Sequence, residues 1–241
     1  DGITGLSQSL TWGNTLFDSI RADLKTPNIF SMCLGQEMGA LVLGGSIPEV
    51  LKPNWIPYSG SASYVVELAD IRIDGVGVGE SSSTYRSTII DSGTTFMYLP
   101  TGAYRKVVAK WQSSCPWGAC STRVVKGPFP DDYCYTATAD EIERFSRSSL
   151  HFANGVAVDF GPASYAYELE PGKWCLGVFD NQHAGAVIGG SNMRNHEVIF
   201  DREKRRVAFV PSNCEQMHRY ERASVLVGGY GLGGCEEGVA V

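Results

Sequence analysis

The stretch Ile89-Ile90-Asp91-Ser92-Gly93-Thr94-Thr95 is followed without a break by Phe96-Met97-Tyr98-Leu99-Pro100. An acidic residue and several small residues thus stand between two apolar runs, which is the pattern of a strand, a turn and a second strand. A carboxylate buried at such a turn costs free energy unless it is hydrogen-bonded. Gly93 lets backbone N–H groups approach it, and the Thr94 hydroxyl can donate to it. The stretch predicts a functional carboxylate at Asp91, with an ordinary Asp-Ser-Gly turn as the alternative.

Short apolar runs recur along the rest of the chain. Most are bounded by Gly, Pro, Asn or Asp, and many alternate with period two, as half-buried strands do. Two of them, residues 198–200 and 207–210, flank the polar stretch 201–206, which predicts a β-hairpin with a solvated turn. With 28 Gly and 11 Pro in 241 residues, the pattern predicts an all-β chain. The other runs are residues 30–34, 40–43, 64–73, 87–90, 96–99, 156–160, 174–179 and 186–188.

A few short helices are predicted as well. Two segments carry apolar residues at helical spacing. A third helix is predicted from Thr138, because Thr138 and Glu141 form a capping-box pair before Ile142 and Phe145. The apolar positions of the first two segments are Leu16, Phe17, Ile20 and Leu24, and then Tyr104, Val107, Val108 and Trp111.

Composition and charge exclude several classes of function. Hydrophobic residues make up 43% of the chain, so a sizeable core can form. Twenty Lys and Arg against 26 Asp and Glu give a net charge of -6, which provides no basic field for nucleic acid. No apolar run approaches the roughly 18 residues that a membrane span needs. The chain starts at Asp1 without a signal-like segment, so we expect further sequence upstream.

Seven cysteines indicate an oxidising compartment. They are too many and too dispersed for an ordinary cytosolic enzyme, which favours disulfides. A zinc site is the competing interpretation, but no Cys-x-x-Cys occurs, and Cys115 and Cys120 lack a matching His pair. The odd number leaves one cysteine free, or bonded to another chain or to an absent segment. The positions are 33, 115, 120, 134, 175, 214 and 235.

Five motifs occur in the order found in a known family. In this order they resemble the pepsin-like aspartic proteases over nearly all of residues 1–214. The first two are similar to late parts of that family's N-terminal lobe, the third to the start of its C-terminal lobe, and the fourth to its second active-site loop. The fifth is similar to its closing element. They are Asp1-Gly2-Ile3-Thr4-Gly5-Leu6, Ile29-Phe30-Ser31-Met32-Cys33-Leu34, residues 41–45, Asp91-Ser92-Gly93-Thr94-Thr95, and Val187-Ile188-Gly189 with the predicted hairpin.

The resemblance implies a fold and a division of the chain. The expected fold is an all-β, pepsin-like C-terminal lobe with a few short helices. Residues 1–38 would be the tail of an N-terminal lobe and the interlobe strand, and residues 39–214 the C-terminal lobe. Residues 215–241 would form a tail or linker.

The resemblance also implies roles for the Asp91 stretch. Asp91 would be the second catalytic aspartate of an endopeptidase, and the Thr94 hydroxyl would bond its outer oxygen. The Ser92 hydroxyl would help to lock this loop to its counterpart, whereas Gly93 and Thr95 would line the cleft and bind the substrate backbone. The chemistry needs two carboxylates that share one proton, and no cofactor or metal.

The chain carries only one such loop, so the resemblance leaves the second aspartate to be found elsewhere. The expected partner is an N-terminal chain or lobe of the same protease that carries the first catalytic aspartate. A retroviral-type homodimer and a pepsin-fold binding or inhibitor protein without activity are the alternatives. Protein or peptide substrates are expected, nucleic acid is not, and a membrane anchor beyond the chain is left open.

Disulfide pairings follow from the resemblance too. It implies bridges Cys33–Cys214, Cys134–Cys175 and Cys115–Cys120, with Cys235 left over. The cysteine-rich insertion and the Phe-Ser-Met-Cys-Leu strand look more like apicomplexan export proteases and nepenthesin-type plant enzymes than like gastric pepsin. The expected location is the lumen of the secretory pathway, in the endoplasmic reticulum, Golgi or endosomes, or outside the cell, with synthesis as a zymogen.

Overall fold

The structure, a computed structural model, describes residues 4–8, 13–47, 51–113, 115–117, 124–128 and 132–215. Within these residues, eighteen short strands form four sheets, and five helices and one 3-10 turn join them. The prediction of a mostly β chain with few short helices is confirmed. The helices are α1 Leu16–Leu24, α2 Ser82–Tyr85, α3 Thr101–Ser113, α4 Ala139–Ile142 and α5 Gly190–Met193, and the 3-10 turn is Pro162–Ser164.

The strands are mostly three to six residues long. Their bounds are β1 Ile29–Leu34, β2 Gly39–Leu43, β3 Ile56–Pro57, β4 Tyr64–Val66, β5 Leu68–Ile73, β6 Val76–Gly77, β7 Thr88–Asp91, β8 Met97–Leu99, β9 Val124–Val125, β10 Cys134–Thr136, β11 Ser148–Phe152, β12 Ala157–Phe160, β13 Ala166–Glu170, β14 Lys173–Leu176, β15 Val178–Asp180, β16 Val187–Gly189, β17 His196–Asp201 and β18 Arg206–Pro211.

One five-stranded sheet joins the two ends of the described chain. Its order is β2-β1-β17-β18-β3, and all of its pairs are antiparallel. The predicted hairpin is β17 and β18, in register from His196 opposite Pro211 to Asp201 opposite Arg206. Phe30 of β1 stacks on Phe200 of β17 with the ring centroids 4.6 Å apart, so the sheet contributes aromatic side chains to the core.

A second five-stranded sheet holds the Asp91 stretch. Its order is β15-β8-β16-β7-β4. β16 runs parallel to β7, with Gly189 beside Asp91, and β15 runs parallel to β8. Parallel neighbours bring the carboxyl ends of strands to one edge, and functional residues commonly gather there. Asp91 is the last residue of β7 and so lies at this edge.

Two four-stranded sheets complete the fold, in the orders β12-β11-β5-β6 and β13-β14-β10-β9. The indole of Trp111, on α3, stacks on Tyr165 at 4.1 Å and donates to the Ser148 hydroxyl at 2.9 Å. Trp111 and Tyr165 are almost fully buried. α3 is therefore fixed by stacking and by a buried hydrogen bond.

Two predicted strands are each broken in two. The run 64–73 forms β4 and β5, which belong to different sheets, and Glu67 separates them. The run 174–179 forms β14 and β15, and Gly177 separates them. A Cβ on Gly177 would lie 2.5 Å from the Phe96 ring, so the chain can change sheets here only through a glycine.

The prediction of a solvated turn over residues 201–206 is wrong for two of its arginines. The Arg202 side chain is only 6% exposed, and its Nη2 lies 3.0 Å from Asp18 Oδ1 on α1. The Arg206 Nε donates to Asp201 Oδ2 at 2.8 Å. Arg202 is thus buried and Arg206 half-buried, and in each case a buried carboxylate compensates the charge of the guanidinium.

Two of the three implied disulfides are confirmed. Cys33 of β1 bonds Cys214, with the Cα atoms 5.2 Å apart. Cys134 and Cys175 face each other across β10 and β14, and they are bonded. The third implied bridge involves Cys120, which lies outside the described residues, as does Cys235. Disulfide bonding, not zinc, therefore accounts for the two described pairs.

The implied division of the chain near residue 38 stays a prediction. β1 and β2 lie on either side of this point, and they are antiparallel neighbours in one sheet. No helix in the described ranges is long and apolar enough to cross a membrane.

Candidate active site

The loop from Asp91 to Phe96 is fixed by the element that passes behind it. The Gly190 N–H donates to the Thr94 carbonyl at 2.7 Å, and the Ser191 N–H donates to the Thr95 carbonyl at 2.9 Å. A Cβ on Gly189 would lie 2.1 Å from the Phe96 carbonyl oxygen, a distance that no side chain tolerates. The end of β16 can therefore lie against the loop only because residue 189 is glycine.

The Asp91 carboxylate has a donor on each oxygen. The Gly93 N–H donates to Oδ1 at 3.0 Å, and the Thr94 hydroxyl donates to Oδ2 at 2.6 Å. The hydrogen bond expected from Thr94 is thus present. Both donors are neutral, and no cation among the described residues forms an ion pair with Asp91. The carboxylate is therefore oriented, but its charge is not neutralised.

The other predicted site residues surround this carboxylate. Ser92, Gly93 and Thr95 are exposed, and Asp91 and Thr94 are partly buried. Within the described residues, no hydrogen bond involves the Ser92 hydroxyl, so it is available to a group from elsewhere. The structure brings all five residues together in one turn, and their roles in catalysis and substrate binding stay predictions.

A cavity of about 210 Å³ adjoins Asp91 on one side. Leu6, Ser63 and Tyr64 line it, together with Asp91 itself. The Tyr64 hydroxyl donates to the Leu6 carbonyl at 2.6 Å. Burial raises the pKa of Tyr64, so this hydroxyl remains a donor at all physiological pH values. Tyr64 thereby holds residues 4–8 next to the Asp91 loop.

A larger groove of about 630 Å³ opens on the other side, and Thr94 and Thr95 line it. Four aromatic rings form its wall. Phe96 stacks on Tyr167 with the centroids 4.6 Å apart, and Phe179 lies 5.5 Å from both Phe96 and Tyr98. The groove is therefore suited to an apolar side chain close to the carboxylate.

Sequence reasoning missed these aromatic residues as parts of a site. Phe96 immediately precedes β8, and Tyr98 lies on it. This spacing of two could have indicated that their side chains share one face of the strand. Tyr167 and Phe179 come from β13 and β15, and no local pattern links them to Asp91. The described residues contain no cluster of three or more His, Cys, Asp or Glu that could hold a metal ion.

The fold and the loop together define a class of protein. A mostly β lobe whose Asp-Ser-Gly-Thr loop closes against a hydrophobic-hydrophobic-Gly element is the C-terminal lobe of the pepsin-like aspartic proteases. Residues 63–211 match the family described as "Xylanase inhibitor C-terminal", and the chain belongs to this family. The match includes Asp91 and the four predicted site residues that follow it.

Relatives of known name support the same class. The chain is 26% identical to Aspartic proteinase 36 of Arabidopsis thaliana over 226 residues, which are 89% of this chain and 45% of that protein. It is 26% identical to Aspartic proteinase nepenthesin-2 of Nepenthes gracilis over 166 residues, 63% of this chain and 35% of that protein. The resemblance to nepenthesin-type enzymes is thus reflected in the sequence comparison.

A solved structure supports the fold. The crystal structure of basic 7S globulin from soybean superposes with a TM-score of 0.72 at 19% identity, over 90% of this chain and 58% of that one. The chain spans less than half the length of the named relatives described above.

Proposed function

We propose that the chain is the C-terminal part of an aspartic endopeptidase, in which Asp91 works with a second aspartate outside this chain. The observation that carries the proposal is the carboxylate of Asp91, which is oriented by the Gly93 N–H and the Thr94 hydroxyl and has no cation partner among the described residues. Asp91 lines one cavity, and Gly93, Thr94 and Thr95 of the same loop line a second. The names of the relatives support it, because they are called aspartic proteinases.

The reaction requires the carboxyls to act as a pair. Like charges at such short distance cannot both ionise, so one carboxyl keeps a proton while the other is ionised. The ionised carboxylate takes a proton from water, and the water oxygen attacks the scissile carbonyl carbon. The protonated carboxyl gives its proton to the carbonyl oxygen. The tetrahedral intermediate then collapses, and one of its hydroxyls returns a proton to the carboxylate that is now ionised. The C–N bond breaks, and the amide nitrogen leaves with the proton that the other carboxyl took from water.

The proposed roles of the neighbouring residues follow from their positions. Thr94 and the Gly93 N–H orient Asp91, and the exposed Ser92 hydroxyl contacts the loop that carries the other aspartate. Gly93 and Thr95 bind the substrate backbone, and the aromatic groove accepts an apolar side chain of the substrate. The partner is an N-terminal lobe or chain of the same protease, and the substrate is a protein or peptide.

A second function is favoured by the family description, which names a xylanase inhibitor. A pepsin-fold protein that binds another protein needs the scaffold but not a second aspartate. Under this alternative the Asp91 turn would be a structural element. The intact pair of donors on Asp91 favours the enzyme.

The two disulfides point to an oxidising compartment. We propose that the protein works in the lumen of the secretory pathway or outside the cell.

The test is peptide cleavage by the full-length protein. A mixed peptide library is incubated with the wild type and with Asp91→Asn, and the products are identified by mass spectrometry. We expect the substitution to lower kcat/KM by a factor on the order of 10³ or more, because the carboxylate takes part in each proton transfer. Asp70→Asn is the matched control, since Asp70 on β5 is a partly exposed carboxylate that pairs with Arg72.

Unchanged cleavage by Asp91→Asn would contradict the proposal. No cleavage by the wild-type full-length protein at any pH, together with tight binding of a xylanase, would favour the inhibitor instead.

A further inference from the structure

A third cavity, of about 350 Å³, lies apart from Asp91. It shares no lining residue with the two cavities that border the Asp91 loop. We call it the Glu67 pocket. It lies between β3, β4 and the turn that follows β11. Its apolar wall consists of Ile56, Pro57, Val65 and Phe152, and its rim includes Glu67 and Asn154.

Most backbone and amide groups of this wall are already paired. Ser59 and Val65 exchange hydrogen bonds at 2.7 and 3.2 Å, and the Ala153 N–H donates to the Glu67 carbonyl at 2.9 Å. The Asn154 side-chain amide donates to the Trp55 carbonyl at 2.8 Å. A ligand therefore finds few free donors or acceptors on the wall, and the apolar surface accounts for most of its contact.

The carboxylate of Glu67 is the one charged group among the described residues that line the pocket. It is exposed, it lines the pocket, and within the described residues it has no hydrogen-bond or ion-pair partner. The guanidinium of Arg205 packs over the Tyr58 ring, another lining residue, but it donates to the Gly60 carbonyl and to Gln8. An unpaired carboxylate beside an apolar wall matches a ligand with an apolar stem and a positive end.

We propose that the Glu67 pocket binds the side chain of a Lys or Arg residue in a peptide segment of a partner protein. The methylene stem would lie against Ile56, Val65 and Phe152, and the charged end would reach Glu67. A volume of about 350 Å³ leaves room for one long side chain together with part of the peptide that carries it. A side chain held by its peptide is favoured over a free amine, because a ligand of few atoms gains little affinity.

The test uses the full chain with its Ile and Ala methyl groups labelled for NMR. The probes are acetyl-Ala-Ala-Lys-Ala-Ala-amide, the same peptide with norleucine in place of Lys, and n-butylammonium chloride. We expect the lysine peptide to shift the Ile56 and Ala153 methyl signals with a Kd on the order of 1 mM. The norleucine peptide and n-butylammonium should each bind about fivefold more weakly.

Variants separate the charge from the cavity. Glu67→Gln should weaken the lysine peptide about fivefold and leave the norleucine peptide unchanged. Ala153→Leu should block both peptides by occupying the pocket. Glu143→Gln, which changes another exposed carboxylate, should bind like the wild type. Asp91→Asn should also bind like the wild type, because this pocket does not involve the Asp91 groove.

Equal affinity for the lysine and norleucine peptides, or an unchanged affinity in Glu67→Gln, would overturn the role of the charge. Binding of n-butylammonium as tight as that of the lysine peptide would overturn the peptide as the occupant. Loss of binding in Asp91→Asn would place the probe in the other groove and would overturn the site.

Discussion

Two aspartates at the ends of strands show how differently one local pattern can be used. Asp91 ends β7 and Asp201 ends β17, and each accepts one backbone N–H and one side-chain donor. The side-chain donor to Asp91 is the Thr94 hydroxyl, whereas the donor to Asp201 is the Arg206 guanidinium. Asp201 is 2% exposed, and Asp91 is only partly buried.

The difference indicates what each carboxylate can do. Asp201 is neutralised by a cation and closed off from solvent, so it stabilises the hairpin turn. Asp91 is held by neutral donors and lines a cavity, so its charge and lone pairs remain available to a substrate or to a second carboxyl. Orientation without neutralisation is the property that distinguishes the proposed catalytic group from a structural one.

The largest effect on stability is expected at Asp201. Asp201→Ala should lower the free energy of unfolding by about 3 kcal/mol, because it leaves Arg206 without its buried partner. Asp91→Ala should cost less than about 1 kcal/mol, since both of its donors can turn to water. Urea denaturation followed by tryptophan fluorescence measures both values. Equal losses at the two aspartates would contradict the comparison.

Substitution of Gly189, which lies against the Asp91 loop, is expected to have the next largest effect on stability. Gly189→Ala should cost about 2 kcal/mol, because the new methyl group would overlap the Phe96 carbonyl oxygen. Gly190→Ala is the matched control, since its Cβ would lie 3.5 Å from the Ser92 carbonyl oxygen and should change stability by less than about 0.5 kcal/mol. If thermal unfolding finds the two variants alike, the close approach of β16 to the loop is not needed.

Substitutions of Thr94 test the one hydrogen bond that orients the Oδ2 atom of Asp91. Thr94→Val removes the donor to Oδ2 and should cost about 0.5 kcal/mol of stability. In the full-length protein it should also lower kcat/KM about tenfold, because the carboxylate loses its fixed direction. Thr94→Ser keeps the hydroxyl and should recover most of both. A serine variant as impaired as the valine variant would assign the effect to the lost methyl group.

The smallest effect concerns the pH dependence of stability, and it involves His196 instead of Asp91 or Asp201. Burial lowers the pKa of His196 on β17, and its Nδ1 lies 3.0 Å from the Arg194 carbonyl oxygen. The unfolded chain binds a proton at about pH 6.5, and the folded chain resists protonation until a lower pH. The free energy of unfolding should therefore fall as the pH drops below about 6.5.

His196→Gln should make this pH dependence of stability shallower, as measured by urea denaturation at a series of pH values. The activity profile of the full-length protein should be corrected for this loss before any acid limb is assigned to Asp91. An unchanged slope would show that other groups set the acid response.

The Asp91 turn could be predicted from sequence because its elements are local. The two strands, the glycine and the hydroxyl donor all lie within residues 89–100. The capping box of Thr138 and Glu141 was predictable for the same reason, and both of its hydrogen bonds are present. Short-range patterns fix short-range structure.

Features that depend on distant partners could not be predicted. Ser148–Phe152 forms a buried strand although it begins with two serines, because Trp111 bonds the Ser148 hydroxyl from another element. Arg202 resembles a surface residue in the sequence, and only the folded chain shows that Asp18 pairs with it. The aromatic groove could not be predicted for the same reason, since Tyr167 and Phe179 are brought to Thr94 by sheet pairing alone.

Binding of a transition-state analogue tests the central claim, that Asp91 is one half of a catalytic pair, most directly and without the need for turnover. A pepstatin-type inhibitor is titrated by calorimetry into the full-length wild type, Asp91→Asn and Asp201→Asn under conditions where all three are folded. We expect tight binding to the wild type, a loss of at least about 100-fold in Asp91→Asn, and no change in Asp201→Asn. Equal affinity for the wild type and Asp91→Asn, or no binding to the wild type, would contradict the claim.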